Sequence, residues 1–212
     1  MSRRDILCAM CLLPAVGLAA ALAPGAARAE DSLGRVASRL VDVQVIRGRF
    51  EQTRRLSGFA NPLVSRGDFV VARGRGVLWN TSEPLRSSLL VTSDRLVVRG
   101  ADGKVQQQMQ ADTQPAMRVM GESIIAVLRS DLRSLSARFE VSGQAIGKTR
   151  WELTLTPTDA GVRRAFARIE LSGDRFVREV RLEEASGDST VVRMIGPVAG
   201  DRLTPDEEQR FE

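Results

Sequence analysis

The sequence contains no histidine and no tyrosine, and its two cysteines, Cys8 and Cys11, both lie near the N-terminus. Most transition-metal ligands, general bases and strong nucleophiles belong to these residue types. Lysine is nearly as scarce, because Lys104 and Lys148 are the only two, and each follows a glycine in an apparent turn. We therefore expect no enzyme activity, no metal site and no other cofactor.

An enzyme built on this chain would have to use carboxylates. The sequence offers the pairs Glu183-Glu184 and Glu207-Glu208. Neighbouring residues on a strand point to opposite faces, which separates the first pair. The second pair lies in a polar C-terminal segment and is most simply explained as solvated charge, so a hydrolase is a minor alternative.

Aromatic residues make up only 4% of the chain, although its pI is about 10.4 and its net charge +5. Base-stacking platforms need aromatic side chains, and a nucleic-acid binder normally concentrates its basic residues on one surface. Here arginine is spread along the whole sequence. We therefore predict that the chain does not bind nucleic acid.

The N-terminus has the pattern of a cleavable signal peptide. Arg3 and Arg4 precede an apolar run, which ends in Pro24-Gly25 and the small-residue triplet Ala27-Arg28-Ala29. We assign residues 1–29 to this peptide and residues 30–212 to a single domain, a monomer located in the periplasm. The arginine pair is compatible with either the general or the twin-arginine export route.

The spacing of apolar residues from Leu33 to Val45 predicts an amphipathic helix that Arg47-Gly48 ends. From Phe50 onward the period changes to two, and turn residues punctuate the chain. This pattern predicts eleven strands near residues 46–57, 63–73, 75–82, 85–92, 95–100, 104–110, 137–143, 149–156, 165–172, 175–184 and 188–196. Helical spacing from Met117 to Leu135 predicts a helical insertion between the two groups of strands.

The alternation gives most strands one apolar and one polar face, most clearly in residues 151–156. In the strand 175–184 it places Phe176 and Val180 on the apolar face and Val177 on the charged face. The helices available to cover the apolar face are the two above and a short one after Thr204-Pro205. They are too few to fill so wide a face, so we expect a cavity beneath them and a movable helical lid.

Several motifs resemble those of the outer-membrane lipoprotein carrier family, LolA. They are Phe50-Glu51-Gln52-Thr53, Ser65-x-Gly67-x-Phe69, Arg73-x5-Trp79 with Pro84, Leu89-Leu90-Val91-Thr92 and, more loosely, Trp151-x-Leu153-x-Leu155-x-Pro157. Gly74 and Val77 replace a proline and a phenylalanine of the family pattern, and Arg75 is additional. These departures suggest a divergent branch.

The resemblance implies a mainly β fold (α+β), an incomplete antiparallel β-barrel of about eleven strands covered by the N-terminal helix and the mid-chain insertion. It also implies that Arg73 bonds to the lid and holds the empty carrier closed. The apolar residues that we expect to line the cavity are Phe69, Val71, Val77, Trp79, Leu90, Met120, Ile124, Leu128, Leu153, Leu155, Ile169 and Leu171.

The sequence therefore suggests a periplasmic carrier of acylated lipoproteins or another lipid. The resemblance further implies an inner-membrane donor transporter and an outer-membrane acceptor as partners. The departures from the family pattern leave open a different acyl lipid or a polyene-type cargo. A second hypothesis is a docking module of an envelope lipid or polyene-lipid assembly system that carries no lipid itself.

Overall fold

The computed structural model describes residues 34–110, 125–126 and 131–212. The predicted signal peptide and most of the predicted mid-chain insertion lie outside these residues. Among the described residues, no helix is both long enough and apolar enough to cross a membrane.

Eleven strands form one antiparallel sheet, which confirms the predicted number of strands. Most strand ends agree with the prediction within two residues, and the largest difference is the last strand, which continues to Gly200. The strands are β1 Val45–Arg55, β2 Leu63–Ala72, β3 Gly76–Glu83, β4 Ser87–Val91, β5 Arg95–Arg99, β6 Val105–Gln110, β7 Phe139–Ile146, β8 Arg150–Pro157, β9 Phe166–Gly173, β10 Val177–Glu184 and β11 Ser189–Gly200.

The strand order in the sheet is β6-β5-β4-β3-β2-β1-β11-β10-β9-β8-β7. Short connections make sequence neighbours into sheet neighbours within each half, as expected for hairpins. The two halves join where β1 pairs with β11, through contacts such as Phe50 with Met194. Because β6 and β7 stand at the two ends of this order, the sheet is an open, incomplete barrel.

The described helices are all short. They are α1 Leu132–Ser136, α2 Ala160–Ala165 and α3 Pro205–Arg210, and residues 34–37 are also helical. The predicted N-terminal helix is too long, since its last helical residue is Ala37. Val41, Val43 and Val45 are β-branched and alternate with polar residues, a pattern that favours the extended chain leading into β1.

The helix α2, between β8 and β9, was not predicted. The side chain of Asp159 caps its N-terminus by accepting hydrogen bonds from the backbone N–H groups of Gly161 and Val162. Val162 is the buried residue of this helix, and it packs into the core of the sheet. Because α2 has only six residues and one of them is buried, its sequence is too short to show a helical periodicity.

One face of the sheet, here called the inner face, carries a continuous apolar cluster from β5 across to β7. Residues from the helical segments pack on this inner cluster, namely Val36, Ala126, Leu135 and Val162. Val177 belongs to it, so its predicted place on the charged face is wrong. A bulge between Val177 and Glu179 adds one residue to β10 and reverses the alternation there.

The other, outer face carries a smaller apolar cluster on β1–β5. The C-terminal segment covers this outer cluster with Phe211 and Leu203. The sequence placed the C-terminal helix over the same face as the other helices, and this prediction is wrong. The helix α3 lies on the opposite side, where Glu207 of α3 forms an ion pair with Arg47 on the outer face of β1.

Next to the outer cluster, charged residues of alternating sign follow one another across five neighbouring strands. Glu51 sits in the middle, within 2.9 Å of Arg66 Nε and 4.0 Å of Arg193 Nη1. This ion-pair ladder is formed by Arg181, Glu179, Arg193, Glu51, Arg66 and Glu83. Most of these side chains are partly exposed, so the ladder keeps the outer face solvated and specifies register more than it stabilises the fold.

Candidate functional site

Three aromatic rings stack on the inner face of β1–β3. The ring of Trp79 lies 3.9 Å from that of Phe50 and 5.9 Å from that of Phe69, centroid to centroid, with interplanar angles of 26° and 25°. Phe50 and Phe69 are buried, whereas Trp79 is half-buried. Trp79 is therefore the member of this group with part of its ring free to meet a ligand.

Glycines opposite the two phenylalanines make room for these rings. Phe50 pairs with Gly67, and Phe69 pairs with Gly48, across the β1–β2 ladder. A Cβ atom on Gly67 would lie 2.8 Å from Phe50 Cε1 and 1.8 Å from the carbonyl oxygen of Asn80. Gly67 thus has a steric role: it lets an aromatic ring lie flat against the backbone.

The other half of the inner face repeats this arrangement around Trp151. This residue is 1% exposed, and its indole N–H donates a hydrogen bond to the carbonyl oxygen of Asp174. Its partner on β9 is Gly173, where a Cβ atom would lie 2.7 Å from the indole ring. Trp151 is fully packed and satisfied, so it supports the face rather than offering free surface.

Most of the predicted cavity residues lie together on the inner face. Eight of them belong to or pack against the inner cluster, namely Phe69, Val71, Val77, Trp79, Leu153, Leu155, Ile169 and Leu171. Met120, Ile124 and Leu128 lie outside the described residues. The structure thus brings the predicted strand residues onto one surface, and their contact with a ligand remains a prediction.

Leu90 is the exception, because it lies on the outer face. It pairs with Leu78 and Val97, which are both members of the outer cluster. The neighbouring Leu89 points inward and packs against the inner cluster instead. The sequence around these residues is apolar on both sides, so alternation alone could not decide which leucine faces inward.

Sequence reasoning missed other residues of the inner face. Phe50, Leu89, Trp151 and Met194 all belong to or pack against the inner cluster. Trp151 has the same parity as Leu153 and Leu155 on β8, so the alternation already contained this signal. Phe50 could have been found from the motif, since a glycine on the neighbouring strand often accommodates a large ring.

Arg73 lies directly after β2, at the edge of the inner face. Its backbone N–H donates to the carbonyl oxygen of Gln44, and its guanidinium forms an ion pair with the Asp42 carboxylate. The guanidinium side chain is 36% exposed. The described partner of Arg73 is therefore a carboxylate in the segment that leads from the N-terminal helical turn into β1.

A cleft of about 400 Å³ opens beside the β2–β3 turn. Gly74, Arg75 and Gly76 form one wall, and Ala126 and Leu135 form part of the other. The last two residues also belong to the inner cluster, so the cleft reaches the apolar core from outside. Its volume falls within the usual range of small-molecule sites.

The LolA family, described as outer membrane lipoprotein carrier protein LolA, matches residues 42–207 of this sequence. The chain belongs to the LolA family. This match includes β1 to β11 and the first half of α3, and it confirms the resemblance found in the motifs. Members of the LolA family are carrier proteins rather than enzymes, and they are typically periplasmic.

Solved structures similar to this chain include two with related descriptions. A LolA superfamily protein from Nitrosomonas europaea is 14% identical, with a TM-score of 0.47, covering 84% of this chain and 96% of its own. A putative outer membrane lipoprotein-sorting protein domain from Vibrio parahaemolyticus is 10% identical, with a TM-score of 0.47, covering 86% and 99%.

A third similar structure is a DUF1329 family protein from Desulfovibrio piger, which is 12% identical with a TM-score of 0.43. The similarity covers 88% of this chain and 96% of that one. A search of the curated proteins finds no match to this chain.

Proposed function

We propose that this LolA family member is a periplasmic carrier that binds the acyl chains of lipoproteins, or of a related lipid, against the inner face of its sheet. It carries this cargo from an inner-membrane donor toward an outer-membrane acceptor. The observation that supports the proposal is the inner cluster itself, an apolar surface across both halves of an open sheet with a cleft at its edge.

The energetics suit a reversible carrier. Burial of each acyl methylene contributes about 0.8 kcal/mol, so one long chain supplies substantial affinity. The inner cluster is already shielded from water by residues such as Val36 and Leu135. An acyl chain must displace such contacts, which lowers its net affinity and allows release to an acceptor that binds it more tightly.

Arg73 fits a role as the residue that keeps the empty carrier closed. It stands at the edge of the inner face, close to the segment that connects the N-terminal helical turn to the sheet. Most of the proposed lid, the mid-chain insertion, lies outside the described residues. The role of Arg73 therefore rests on the family resemblance together with this position.

Native mass spectrometry of protein isolated from the periplasm tests the carrier directly. We expect mass additions that correspond to acylated cargo, and lipid extraction should release them. Protein that consistently carries no lipid, and that does not bind a fluorescent fatty acid, would instead support the docking module without lipid transport.

Leu89 and Leu90 provide a matched pair of variants for locating the site, because they are neighbours that face opposite sides of β4. Leu89→Ala removes contacts from the inner face and should weaken fatty-acid binding several-fold. Leu90→Ala leaves a cavity in the outer cluster and should lower the free energy of unfolding by about 2–5 kcal/mol with unchanged fatty-acid affinity. The reverse assignment of the two effects would exclude the inner face as the site.

A further inference from the structure

A second cleft, of about 570 Å³, lies on the outer face of the sheet. Its base follows a row of residues across neighbouring strands, in which Asp68 pairs with Asn80, Asn80 with Ser88, and Ser88 with Arg99. The helix α3 forms one wall through Gln209 and Arg210. The cleft therefore exists because the C-terminal segment packs on this face, and it is separated from the inner cluster by the sheet.

Three arginines line the outer cleft: Arg86 from the β3–β4 loop, Arg99 from the end of β5, and Arg210 from α3. Asp68 is the one acidic residue in the same lining, and its carboxylate accepts a hydrogen bond from Asn80 Nδ2 at 2.7 Å. The cleft lining therefore carries an excess of positive charge.

The hydrogen bonds of these arginines go to neutral oxygen atoms. Arg210 donates to Asn80 Oδ1, and Arg99 Nη1 donates to the Gly103 carbonyl oxygen at 3.4 Å. Within the described ranges, no ion pair involves Arg86, Arg99 or Arg210. In the nearby ion-pair ladder, by contrast, Arg66 and Arg193 each contact two carboxylates.

Beside this polar row, the cleft lining includes three apolar residues of the outer cluster. Leu78, Leu90 and Val97 are 1%, 5% and 5% exposed. Apolar walls of low dielectric constant strengthen the interaction of a bound anion with nearby guanidinium groups. The cleft volume lies within the range of organic ligands, which exceeds the need of an isolated inorganic ion.

We propose that the outer cleft binds a phosphorylated organic molecule, with its phosphate held by Arg86, Arg99 and Arg210. A guanidinium group donates pairs of hydrogen bonds to phosphate oxygens. Three guanidinium groups match the double negative charge of a phosphate monoester better than the single charge of a carboxylate. The Ser88 hydroxyl offers a further donor at the base. This phosphate belongs either to a soluble phosphate ester or to a lipid headgroup. In both cases binding at the outer cleft does not require acyl binding at the inner face.

The experiment uses the protein in the form that its host produces. Isothermal titration with glycerol 3-phosphate, with glycerol as the neutral control, tests the soluble source. Flotation with vesicles that contain phosphatidic acid, compared with phosphatidylcholine vesicles, tests the headgroup source. Binding in either arm should weaken with added salt, because the contacts are ionic.

The double variant Arg99→Gln/Arg210→Gln removes two positive charges from the cleft. The matched control, Arg66→Gln/Arg193→Gln, removes two positive charges from the ion-pair ladder on the same face. We expect the cleft variant to lose about ten-fold or more in affinity, because charge-assisted hydrogen bonds disappear, while the ladder variant changes little. Thermal unfolding of both variants verifies the fold.

Arg86→Gln serves as a second cleft variant, because Arg86 is exposed on a loop and its replacement leaves the core intact. Loss of binding in the cleft variants alone supports the proposal, and the arm in which binding occurs identifies the source of the phosphate. Equal weakening in the cleft and ladder variants would show a net-charge effect and overturn it. Absence of binding in both arms would also overturn it.

Discussion

Glu207 of α3 accepts two hydrogen bonds from the guanidinium of Arg47 on β1, the one from Nε at 2.6 Å. The same carboxylate accepts from the backbone N–H of Thr204 at 2.7 Å and completes a capping box at the start of α3. One side chain thus both begins the C-terminal helix and attaches it to the outer face of the sheet.

Replacing Glu207 with glutamine should destabilise the protein by about 1–2 kcal/mol, because charge-assisted hydrogen bonds and part of the cap are lost. Urea denaturation followed by tryptophan fluorescence measures the change. Glu208→Gln is the matched control, since Glu208 is the exposed neighbour.

Glu51→Gln, in the partly exposed ion-pair ladder, should lower the free energy of unfolding less than Glu207→Gln does. A larger effect in either comparison variant would contradict the proposed importance of the Arg47 contact.

The contribution of Glu207 should depend on pH. Hydrogen bonds from Arg47 lower the pKa of Glu207 from 4.5 to about 2, against the opposing effect of burial. A group whose pKa falls on folding stabilises the folded state above its unfolded pKa and loses that contribution as the pH falls through its folded pKa. The stability difference between the native protein and Glu207→Gln should therefore be constant above about pH 5. It should shrink between pH 4.5 and 2, and a difference that persists at the acid end would argue against this linkage.

Gly67→Ala tests the steric role of the glycine under Phe50. A Cβ atom there would lie 1.8 Å from the carbonyl oxygen of Asn80, so the β2–β3 pairing must shift. We expect a loss of about 1–3 kcal/mol, as for an overpacked core, measured by thermal unfolding. Gly34→Ala is the control, because nothing lies within 4 Å of its added Cβ. Equal stability of the two variants would refute the close approach.

Trp79 should report cargo on the inner face. Trp151→Phe leaves Trp79 as the only tryptophan, and circular dichroism checks that this variant folds. A fatty acid brominated along its chain should quench Trp79 emission on binding, since bromine quenches only at short range, whereas the unbrominated acid should not. Unchanged Trp79 emission at saturating brominated fatty acid would place the acyl chain elsewhere.

Arg73→Leu should increase the rate of fatty-acid binding to the empty protein if Arg73 holds the carrier closed. Asp42→Asn tests whether Arg73 acts through its ion pair with Asp42 or through another partner, because Asp42 is the ion-pair partner that the structure describes. If the pair with Asp42 restrains the carrier, both variants should bind faster in stopped-flow fluorescence. A faster rate in Arg73→Leu alone assigns the restraint to another partner, and unchanged rates in both variants would exclude a lock at Arg73.

The strands were predictable because their signal is local. Alternation in residues such as 151–156, with turn residues on either side, indicates a half-buried strand whatever it pairs with. Short turns then predict the neighbours within each half of the sheet. For the same reason the predicted cavity residues on β8 and β9 lie together on the inner face, because on these strands one parity is apolar and the other polar.

The facing of Leu90 could not be predicted from the same signal. In Leu89-Leu90-Val91, both parities are apolar, because this part of the sheet is buried on both faces. The bulge in β10 has a similar consequence, since one inserted residue moves Val177 into the core without changing the amino-acid pattern.

The sequence by itself determined the strands, their order within each half and the family, because alternation, turn residues and motif order are properties of short segments. Only the tertiary structure decided that β1 pairs with β11, that α3 covers the outer face and that an arginine-lined cleft results. These features depend on residues far apart in the chain, as with Arg47 and Glu207, which are 160 positions apart. No local pattern encodes which distant side chains will meet, so the second cluster and its cleft became visible only in the folded chain.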